Sequence, residues 1–410
     1  MFFYDIILVG DNMKLTIHNL DHQGRGMGKI DNKIIFIPNA LVDEIVDIDI
    51  VKQKSKYLEG KVIDYIKQSK DRIDPFCPYF NNCGGCDLLH LEYEKQCEFK
   101  EEKVKNIILK YTGLDNVVSK IIPSENIYYY RNKVTFQIHK RIGFYKEKSY
   151  EVVPIEKCYI TNEKINNIIP YLNKLNLSKV SKIVVKCSNK IMVIIYGEID
   201  DVDVIKVLAN HVDTIIVNDN VIYGDGYIIE KLGDLSFEIS KDSFFQVNTI
   251  QTMNLYQKVL EYCDLKGNEK VLDLYCGTGT IGIYISNYCK EVLGIDNVSE
   301  AIEDANENKE INKKKNITFL LGDSKDKISD IDFKPDVIIV DPPRIGLDQS
   351  VIESIIELKP AKVIYVSCDP MTLARDLNVF KNDYSIKEIT PVDMFPQTYH
   401  IESVCLLEIK

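Results

Sequence analysis

Long apolar runs are missing from this 410-residue sequence, which has no stretch of about 18 uncharged, mostly apolar residues. A membrane-spanning helix is therefore not expected, and neither is a membrane partner. The apolar start, residues 1–10, lacks a basic segment before it and a small-residue cleavage site after it, so we expect no signal peptide. Met13 is a second possible start, which makes residues 1–12 either an extension or an edge strand.

Positive charge is scarce overall, because 62 acidic residues outnumber 51 lysines and arginines and leave a formal net charge of −11. Taken alone, this balance argues against a polyanionic partner. The charge is uneven, however, since residues 13–158 carry +3 and residues 159–410 carry −12. Six lysines and arginines and one glutamate lie within Arg131–Lys148, interleaved with Phe136, Phe144 and Tyr145. This segment is either a surface for RNA phosphates and bases or a solvated pair of strands.

Cysteine, in contrast, occurs eleven times, an odd number in a long chain without a signal peptide. This usage indicates a reducing compartment, and we expect a cytoplasmic protein in which most thiols are small buried hydrophobes. The exception is the run Cys77-x5-Cys83-x2-Cys86, with Cys158 far downstream, which has the chemistry to hold zinc or an iron–sulfur cluster. The run lacks both the paired CxxC knuckles of a zinc ribbon and the CxxxCxxC of radical enzymes.

Three regions follow one another along the chain. Residues 13–68 contain short strand-like runs and a glycine-rich turn, Gly24–Gly28, which predict a small β-barrel. Residues 75–240 hold the cysteine run and a helix over about Tyr93–Tyr111, in a mixed α+β region. Residues 241–410 alternate apolar strands with helices, which is typical of an α/β, doubly wound, mostly parallel sheet. The predicted strands there are Val271–Tyr275, Glu291–Asp296, Thr318–Asp323, Val337–Asp341 and Lys362–Ser367, with helices at Glu300–Asn312 and Thr372–Phe380.

A glycine-rich turn follows the first of these five strands. The stretch Asp273-Leu-Tyr-Cys-Gly277-Thr-Gly279 allows the backbone to turn tightly and to approach a ligand where it opens a helix. The literal GxGxxG match that begins at Gly277 is too weak to indicate a nicotinamide cofactor. Asp296 and Asp323 end the next two strands, at the sheet edge where ligands bind. The alternative is that these carboxylates only cap helices.

Three further motifs should gather at the same edge: Asp341-Pro-Pro-Arg344, Ser367-Cys-Asp-Pro370 and His400-x-Glu402. A cysteine at a strand end beside a cofactor cleft is a candidate nucleophile, and the thiolate is its active form, so we expect the pKa of Cys368 to be lowered. Taken alone, Cys368 is more simply a buried structural thiol. Methylation of uracil at C5, however, needs a thiolate that adds at C6 and a base, such as Glu402, that removes the C5 proton.

Resemblances to known families extend these expectations. Asp21-His-Gln-Gly-Arg-Gly-Met-Gly28 resembles the start of a TRAM domain, an OB-like RNA-binding barrel found on RNA-modifying enzymes. The turn Asp-x-x-x-Gly-x-Gly after strand one resembles motif I of the class I S-adenosylmethionine methyltransferases, whose catalytic domain is Rossmann-like. From about residue 15 to the end, the quoted motifs, together with Phe244-Phe-Gln246-x-Asn248, resemble the uracil-5 RNA methyltransferases of the RumA/TrmA type.

The resemblance implies transfer of a methyl group from S-adenosylmethionine to C5 of a uridine that has been taken out of its stack. It implies Cys368 as the nucleophile and Glu402 as the base. Phe244 would stack on the target base, and Arg131 would steady the flipped nucleotide.

The same resemblance implies a cofactor pocket. Asp296 would hold the ribose, although the family usually has a glutamate there, and Asp323 would lie near the adenine. The other residues implied to contact the cofactor or to order the pocket are Gln246, Tyr275, Thr280 and Asp341.

The cysteine run resembles the [4Fe–4S] site of the ribosomal-RNA branch of this family, a site that the transfer-RNA branch lacks. The implied ligands are Cys77, Cys83, Cys86 and Cys158, and the cluster could be lost or replaced by zinc in a preparation. We therefore expect 23S ribosomal RNA as the substrate, with transfer RNA as the alternative.

Two other interpretations are less favoured. An adenine amino methyltransferase would carry an aromatic residue after its [N/D]PP motif, where this chain has Arg344, and would need no Cys368. A non-catalytic iron–sulfur RNA-binding protein would be expected to have lost Cys368, Glu402 or the glycine-rich turn, all of which are present. We expect a monomer, although the sequence fixes neither the oligomeric state nor the uridine that is modified.

Overall fold

The computed structural model describes residues 13–199, 202–328, 331–332 and 334–410. The extension or edge strand considered for residues 1–12 lies outside these described residues. The first of two compact units contains the described chain up to Phe99 together with Gln397–Tyr399, and the second contains Lys100–Pro396 and His400–Lys410. Within the described ranges no helix combines the length and hydropathy that a membrane span needs.

A six-stranded sheet dominates the first unit. Its strands are β1 (Met13–Thr16), β2 (Asn19–Leu20), β3 (Gly26–Ile30), β4 (Lys33–Ile37), β5 (Ile45–Gln53) and β6 (Tyr57–Lys67). They lie in the order β1-β5-β6-β4-β3-β2, and the sheet curls on itself because the amide of His18, just after β1, donates to the carbonyl of Met27 in β3. Alternate strand residues, among them Leu15, Ile35 and Val46, fill the interior, as expected for a small barrel.

Strand β3 differs from the prediction, which placed all of Gly24–Gly28 in a turn. Gly24 is in a turn, with a φ of +79°, but Gly26 and Gly28 belong to the strand. A Cβ on Gly28 would lie 2.6 Å from Leu15 Cδ2, and one on Gly26 would lie 2.8 Å from the carbonyl oxygen of Ala40. These two glycines therefore permit close packing inside the barrel, a role that their spacing in the sequence does not distinguish from a turn.

The second unit begins with a mixed sheet and a separate hairpin. The sheet consists of β7 (Lys133–His139), β8 (Arg141–Tyr145), β9 (Val152–Pro154), β10 (Val180–Cys187), β11 (Ile191–Gly197), β12 (Thr214–Val217) and β13 (Asn220–Tyr223). Its order is β13-β12-β11-β10-β7-β8-β9, so β10 lies at the centre, paired with β7 and β11. The hairpin is formed by β14 (Ile228–Leu232) and β15 (Leu235–Ile239).

A seven-stranded sheet carries the rest of the second unit. Its strands are β16 (Lys270–Leu274), β17 (Glu291–Asp296), β18 (Ile317–Leu321), β19 (Val337–Val340), β20 (Lys362–Ser367), β21 (Tyr384–Val392) and β22 (Glu402–Ile409). The order is β18-β17-β16-β19-β20-β22-β21; the first five are parallel, and β22 is antiparallel to both neighbours. The predicted doubly wound sheet is confirmed. The chain winds outward in opposite directions from β16 and β19, which places the ligand crevice at their carboxyl ends.

Helices connect these strands, with bounds α1 (Tyr93–Thr112), α2 (Glu163–Leu172), α3 (Val202–Ala209), α4 (Thr249–Cys263), α5 (Thr280–Ile285), α6 (Ser299–Ile311), α7 (Ser324–Lys327), α8 (Gln349–Leu358) and α9 (Pro370–Phe380). Local sequence sets several starts: Asn248 caps α4, and Asp369 caps α9 with Pro370 in the first turn. Leu255 and Val259 of α4 belong to the same buried apolar cluster as Val271 of β16.

The three predicted regions do not coincide with the two units. Residues 75–99 belong to the first unit, while residues 100–240 belong to the second together with the seven-stranded sheet. The expectation that residues 13–68 bind RNA, that residues 75–240 carry the iron–sulfur cluster and that residues 241–410 form the catalytic domain stays a prediction.

Candidate active site

In the turn after β16, the backbone of one residue, Gly277, has open space beside it. Tyr275, Gly277 and Gly279 all have positive φ, at +61°, +52° and +75°. A Cβ on Gly279 would lie 2.4 Å from Phe319 Cζ, whereas a Cβ on Gly277 would meet nothing within 4 Å. Packing therefore requires glycine at 279, while Gly277 borders open space at the carboxyl edge of the sheet, where a ligand can approach the backbone.

Asp296 ties this turn to the end of β17. Its carboxylate accepts hydrogen bonds from the amide of Gly277 at 2.9 Å and from the amide of Val298 at 3.0 Å. Asp323 has a different local role, since its side chain accepts from the amide of Lys325 at 2.9 Å and caps α7. The helix-cap interpretation therefore applies to Asp323, and the proposed contacts of both carboxylates with a cofactor stay predictions.

Two carboxyls behind the turn carry less negative charge than their sequence indicates. Loss of surrounding water raises the pKa of Asp341 to about 7. Burial, and then the nearby Asp341 carboxylate, raises the pKa of Asp273 to about 8. The Asp273 carboxyl is fully buried beside the start of α5, where a Cβ on Gly282 would lie 3.1 Å from its Oδ2. Both groups therefore bind protons near neutral pH.

Strand register places Cys368 opposite Glu402. Ser367 of β20 pairs with Ser403 of antiparallel β22, so the next residue of one strand faces the previous residue of the other. Asp369, immediately after the cysteine, caps α9 by accepting from the amides of Met371 and Thr372. The predicted nucleophile and base are thus neighbours at the carboxyl edge of the sheet.

The pKa of Cys368 is raised to about 12, not lowered as the sequence led us to expect. Partial burial disfavours the thiolate most strongly, and the carboxylates of Glu402 and Asp341 repel it further. Arg344 acts in the opposite direction. The prediction was wrong because the motifs show that a cation and carboxyls are near, but not that burial and carboxyls together outweigh the cation.

Glu402 and His400 also have shifted pKa values. Complete burial and the Asp341 carboxylate raise the pKa of Glu402 well above its usual range, and Arg344 opposes them. Burial, followed by Arg344 and more distant cations, lowers the pKa of His400 to about 4, so its imidazole is neutral at pH 7. A glutamate with a raised pKa is a strong base once ionised, as proton removal from carbon requires.

The loop that carries Arg344 is held from α9. Asp376, which is buried, accepts from the amide of Leu347 at 2.9 Å, and the Arg375 guanidinium donates to the carbonyl of the same residue at 3.1 Å. Gly346 has a φ of +77°, and a Cβ there would lie 2.6 Å from both side chains. In the sequence Arg344 stands out through its motif, whereas Arg375 and Asp376 have no local signal because their role depends on tertiary contacts.

Other implied cofactor residues surround the turn. The Thr280 hydroxyl lies 2.6 Å from the Tyr256 hydroxyl of α4, and burial raises the pKa of Tyr275 to about 12. Gln246 is buried, and its backbone carbonyl accepts from the side-chain amide of Asn132 at 3.2 Å. The contacts of these three residues with a cofactor stay predictions.

The two implied substrate residues differ in exposure. Phe244 is 63% exposed, while its carbonyl accepts from the Thr278 hydroxyl in the turn after β16. Arg131 is partly buried, and its Nε donates to the carbonyl of Lys133. An exposed ring whose backbone is hydrogen-bonded to the turn after β16 is suited to stack on an unpaired base.

The basic segment offers fewer unpaired cations and exposed rings than its sequence indicates. Within Arg131–Lys148, β7 and β8 form an antiparallel pair, and three of the cations are ion-paired: Arg141 with Glu156, Lys146 with Glu151, and Lys148 with Glu147. Phe136 is fully buried and stacks on Phe144. Phe136 is therefore a core residue and does not face RNA, which favours the strand-pair interpretation for this part of the segment.

The four cysteines implied as cluster ligands are divided between the two units. Cys77, Cys83 and Cys86 belong to the first unit and Cys158 to the second, and all four are partly exposed. In the part of the chain that the structure describes, no group of three or more histidine, cysteine, aspartate or glutamate side chains is arranged to hold a metal ion. The implied iron–sulfur cluster therefore stays a prediction, and no chemical step is derived through it.

Comparison with known families agrees with the geometry. The family model described as tRNA (Uracil-5-)-methyltransferase matches residues 92–410, more than half of the chain. The chain belongs to this family. The TRAM domain model matches residues 8–63, which include the strands of the first unit up to most of β6. The expected class I methyltransferase fold with an N-terminal TRAM domain is thus confirmed.

Similar proteins in the family cover the whole chain. An uncharacterized RNA methyltransferase of Clostridium tetani is 38% identical over 96% of this chain and 95% of its own length. One of Staphylococcus aureus is 37% identical over 96% of this chain and 97% of its own. Among solved structures, the tRNA (uracil-54, C5)-methyltransferase of Pyrococcus abyssi, in complex with S-adenosyl-L-homocysteine, has a TM-score of 0.81 and 29% identity. That similarity covers 97% of this chain and 100% of the Pyrococcus chain.

Proposed function

We propose that this chain transfers a methyl group from S-adenosylmethionine to C5 of a uridine in RNA, with Cys368 as nucleophile and Glu402 as base. The observation that carries the proposal is the meeting of Cys368, Glu402, Asp341 and Arg344 at one edge of the seven-stranded sheet. Membership of the uracil-5 methyltransferase family supports the same reaction. An adenine amino methyltransferase would have no use for a cysteine facing a buried glutamate.

The residues beside β16 fit S-adenosylmethionine, which would supply a methyl group carried on a positively charged sulfonium. The open backbone at Gly277 leaves room for a ligand, and the carboxylate of Asp296 would hold the ribose hydroxyls. The remaining wall of this proposed pocket would come from Gln246, Tyr275, Thr280, Asp323 and Asp341.

The proposed reaction begins when Cys368 releases its proton to water and the thiolate forms a bond to C6 of the uracil. The electrons of the C5–C6 double bond move toward the C4 carbonyl as an enolate. C5 would then form its bond to the methyl group as the bond between that group and the sulfonium sulfur breaks, with S-adenosyl-L-homocysteine as the leaving group. Glu402 takes the proton from C5, the double bond re-forms, and the sulfur leaves C6 as a thiolate. Arg344 lowers the pKa of both Cys368 and Glu402, and so favours the ionised form of each.

For the RNA substrate, we propose 23S ribosomal RNA. The support is the spacing of Cys77, Cys83, Cys86 and Cys158, which resembles the [4Fe–4S] site of the ribosomal-RNA branch. The cluster itself is part of this proposal and rests on that spacing alone. We also propose a cytoplasmic location, because eleven cysteines in one long chain suit a reducing compartment. The monomeric state stays a prediction.

Transfer RNA is the second candidate substrate, and two findings favour it. The matching family model is described as a tRNA (uracil-5-)-methyltransferase, and the similar Pyrococcus abyssi protein acts on uracil-54 of tRNA. The chemistry proposed for Cys368 and Glu402 is the same for both RNAs, so the choice of substrate can change without any change in the mechanism.

The deciding experiment is methyl transfer from labelled S-adenosylmethionine to unmodified 23S ribosomal RNA and, in parallel, to unmodified transfer RNA. Nucleoside analysis should find the label in 5-methyluridine, and fragment mapping would give the position. Label in ribosomal RNA alone supports the first proposal, and label in transfer RNA alone replaces it with the second. Label in methyladenosine from either RNA would contradict the Cys368 mechanism.

The cluster needs a separate measurement. Protein purified without oxygen should contain about four iron and four sulfide per chain, with a visible absorption band that the matched variant Cys86→Ser reduces. Cys97→Ser, which alters a buried cysteine outside the implied ligand set, is the control and should keep the band. One tightly bound zinc in place of iron, with full methylation activity, would contradict the iron–sulfur proposal.

A further inference from the structure

One buried lysine holds the turn that leads into Phe244. Lys186 lies on the central strand β10, is 4% exposed, and donates three hydrogen bonds of 2.9 Å. Its acceptors are the carbonyls of Ser240, Lys241 and Ser243. The residue after Ser243 is Phe244, the exposed ring at the edge of the candidate site.

The hydrogen bonds of Lys186 match the donors that its ammonium group offers. An ammonium group has three donors and no acceptor, so three carbonyls satisfy it completely. Burial lowers the pKa of Lys186 to about 7, and Lys133 lowers it further, while Asp242 and Asp304 favour the charged form. Burying a charged lysine costs free energy unless its donors are satisfied. All three hydrogen bonds of Lys186 go to carbonyls of one turn, so the lysine stabilises the conformation of that turn.

The same turn is held from the opposite side by α6. The Ser243 hydroxyl lies 2.6 Å from Asp304 Oδ2, and the Ser240 amide donates to the Ser243 hydroxyl at 2.6 Å. Downstream, the Thr278 hydroxyl donates to the carbonyl of Phe244 at 3.3 Å. Hydrogen bonds from β10, from α6 and from the turn after β16 therefore hold the backbone before and at Phe244, while the Phe244 ring remains exposed.

We propose that Lys186 is a positioning residue: by fixing the Ser240–Ser243 turn it holds the Phe244 ring in the place where it stacks on the target base. The role of Phe244 in this statement rests on the proposed function, whereas the fixing of the turn does not. Lys186 itself touches neither the reacting atoms nor, in this proposal, the RNA.

The chain offers a direct probe of this proposal, since it contains no tryptophan. Phe244→Trp places a single indole on the exposed position, where its fluorescence anisotropy and its quenching by acrylamide report local mobility. In that background Lys186→Met removes all three hydrogen bonds while keeping a long apolar side chain. The matched control is Lys182→Met, on the same strand, where the lysine is exposed and lies over the Tyr196 ring.

We expect Lys186→Met to raise the acrylamide quenching constant of the indole at least twofold and to lower its anisotropy, and Lys182→Met to change neither. In the chain with Phe244 intact, Lys186→Met should raise the RNA KM about tenfold and lower kcat, with a smaller change in the Kd of S-adenosylmethionine. Lys186→Arg, which keeps several donors, should recover part of the loss. Ser243→Ala removes the contact with Asp304 and gives the same fluorescence change, should Lys186→Met fail to fold.

Unchanged indole mobility in folded Lys186→Met and Ser243→Ala would overturn the proposal. So would equal losses of RNA and cofactor binding, because they indicate general damage and not loss of position. If the indole becomes mobile but the parent chain methylates no uridine in any RNA, the fixing of the turn stands and the proposed function fails. The two failures are therefore distinguishable.

Discussion

Cys368 and Glu402 face each other across two strands, and each holds its proton more tightly than it would in water. The cause is shared, because each is buried and each lies near the same carboxyl, Asp341, with Arg344 as the nearby cation. At the scale of single residues, activation of the site therefore depends on a balance between one guanidinium and several acids.

The raised pKa of Cys368 makes its reactivity depend steeply on pH. Below its pKa of about 12, the thiolate fraction rises about tenfold for each pH unit, so alkylation by iodoacetamide should climb through pH 7–10 without levelling off. Arg344→Gln should slow alkylation at every pH in this range, because it removes the charge that favours the thiolate. Peptide mass spectrometry at residue 368 gives the rate, with Cys368→Ala as the blank. A plateau below pH 9 would instead support the lowered pKa expected from the sequence.

Substitution of the two residues should stop the reaction at different steps. Cys368→Ala should abolish methylation and leave S-adenosylmethionine binding within a few-fold, because it removes only the nucleophile. Glu402→Gln should accumulate a covalent complex of protein and methylated RNA, because the sulfur cannot leave until the C5 proton is removed. Denaturing gel electrophoresis with labelled RNA detects this complex, and Cys368→Ala should show none. Methylation of uridine by Cys368→Ala would contradict the mechanism.

Residue types and spacing predicted which side chains meet, but not their charge states. Cys368 and Asp341 could be grouped from the sequence because each lies at the end of a predicted strand, whereas Glu402 was grouped with them through its motif and the family resemblance. The sign of the Cys368 pKa shift could not, since it depends on how burial, carboxyls and Arg344 compare in space. Whether Asp323 caps a helix was likewise open until the amide of Lys325 was located.

At the scale of elements, the turn between β16 and α5 offers a matched pair of glycines. Gly279→Ala combines a positive φ with a Cβ 2.4 Å from Phe319, and should lower the free energy of unfolding by about 2–4 kcal/mol. Gly277→Ala has a positive φ but open space, and should cost only about 1 kcal/mol. Urea denaturation measures both. Equal losses would mean that the turn relaxes around Phe319.

Elements with a strong apolar pattern were the ones the sequence predicted well. The five parallel strands of the large sheet match their predictions to within a few residues, as does helix α1 at Tyr93–Thr112. The sequence predicts a turn across the start of β3 because the glycines there, which pack against Leu15 and Ala40, have the composition of a turn. The order of β21 and β22 was not predicted, since no local pattern shows that the last strand inserts beside β20.

At the scale of the whole molecule, a buried ion pair joins distant parts of the second unit. The ammonium of Lys100 on α1 lies 2.5 Å from Asp393 Oδ1, just after β21, and also donates to the carbonyl of Phe395. Both side chains of the ion pair are fully buried. This pair fixes the segment that precedes His400 and Glu402, far along the chain from α1.

Loss of one partner of the Lys100–Asp393 ion pair should therefore lower the free energy of unfolding strongly. Lys100→Met leaves the Asp393 carboxylate buried without its cation and should lower the free energy of unfolding by about 3–5 kcal/mol, as measured by urea denaturation. The matched control is Lys105→Met on the same helix, whose ion pair with Glu101 is partly exposed, so its loss should cost less than about 1 kcal/mol. Similar losses for the two variants would show that the buried pair contributes no more than the surface one.

The position of β22 between β20 and β21 also determines where the chain can change in length. The connection between α9 and β21, residues 381–383, lies outside the helices and strands, so residues can be inserted there without changing the register of β22 against β20. Within β22 a single deletion would turn every following side chain to the opposite face of the sheet. Length variation should therefore be tolerated in the connection and excluded from the strand that supplies the base.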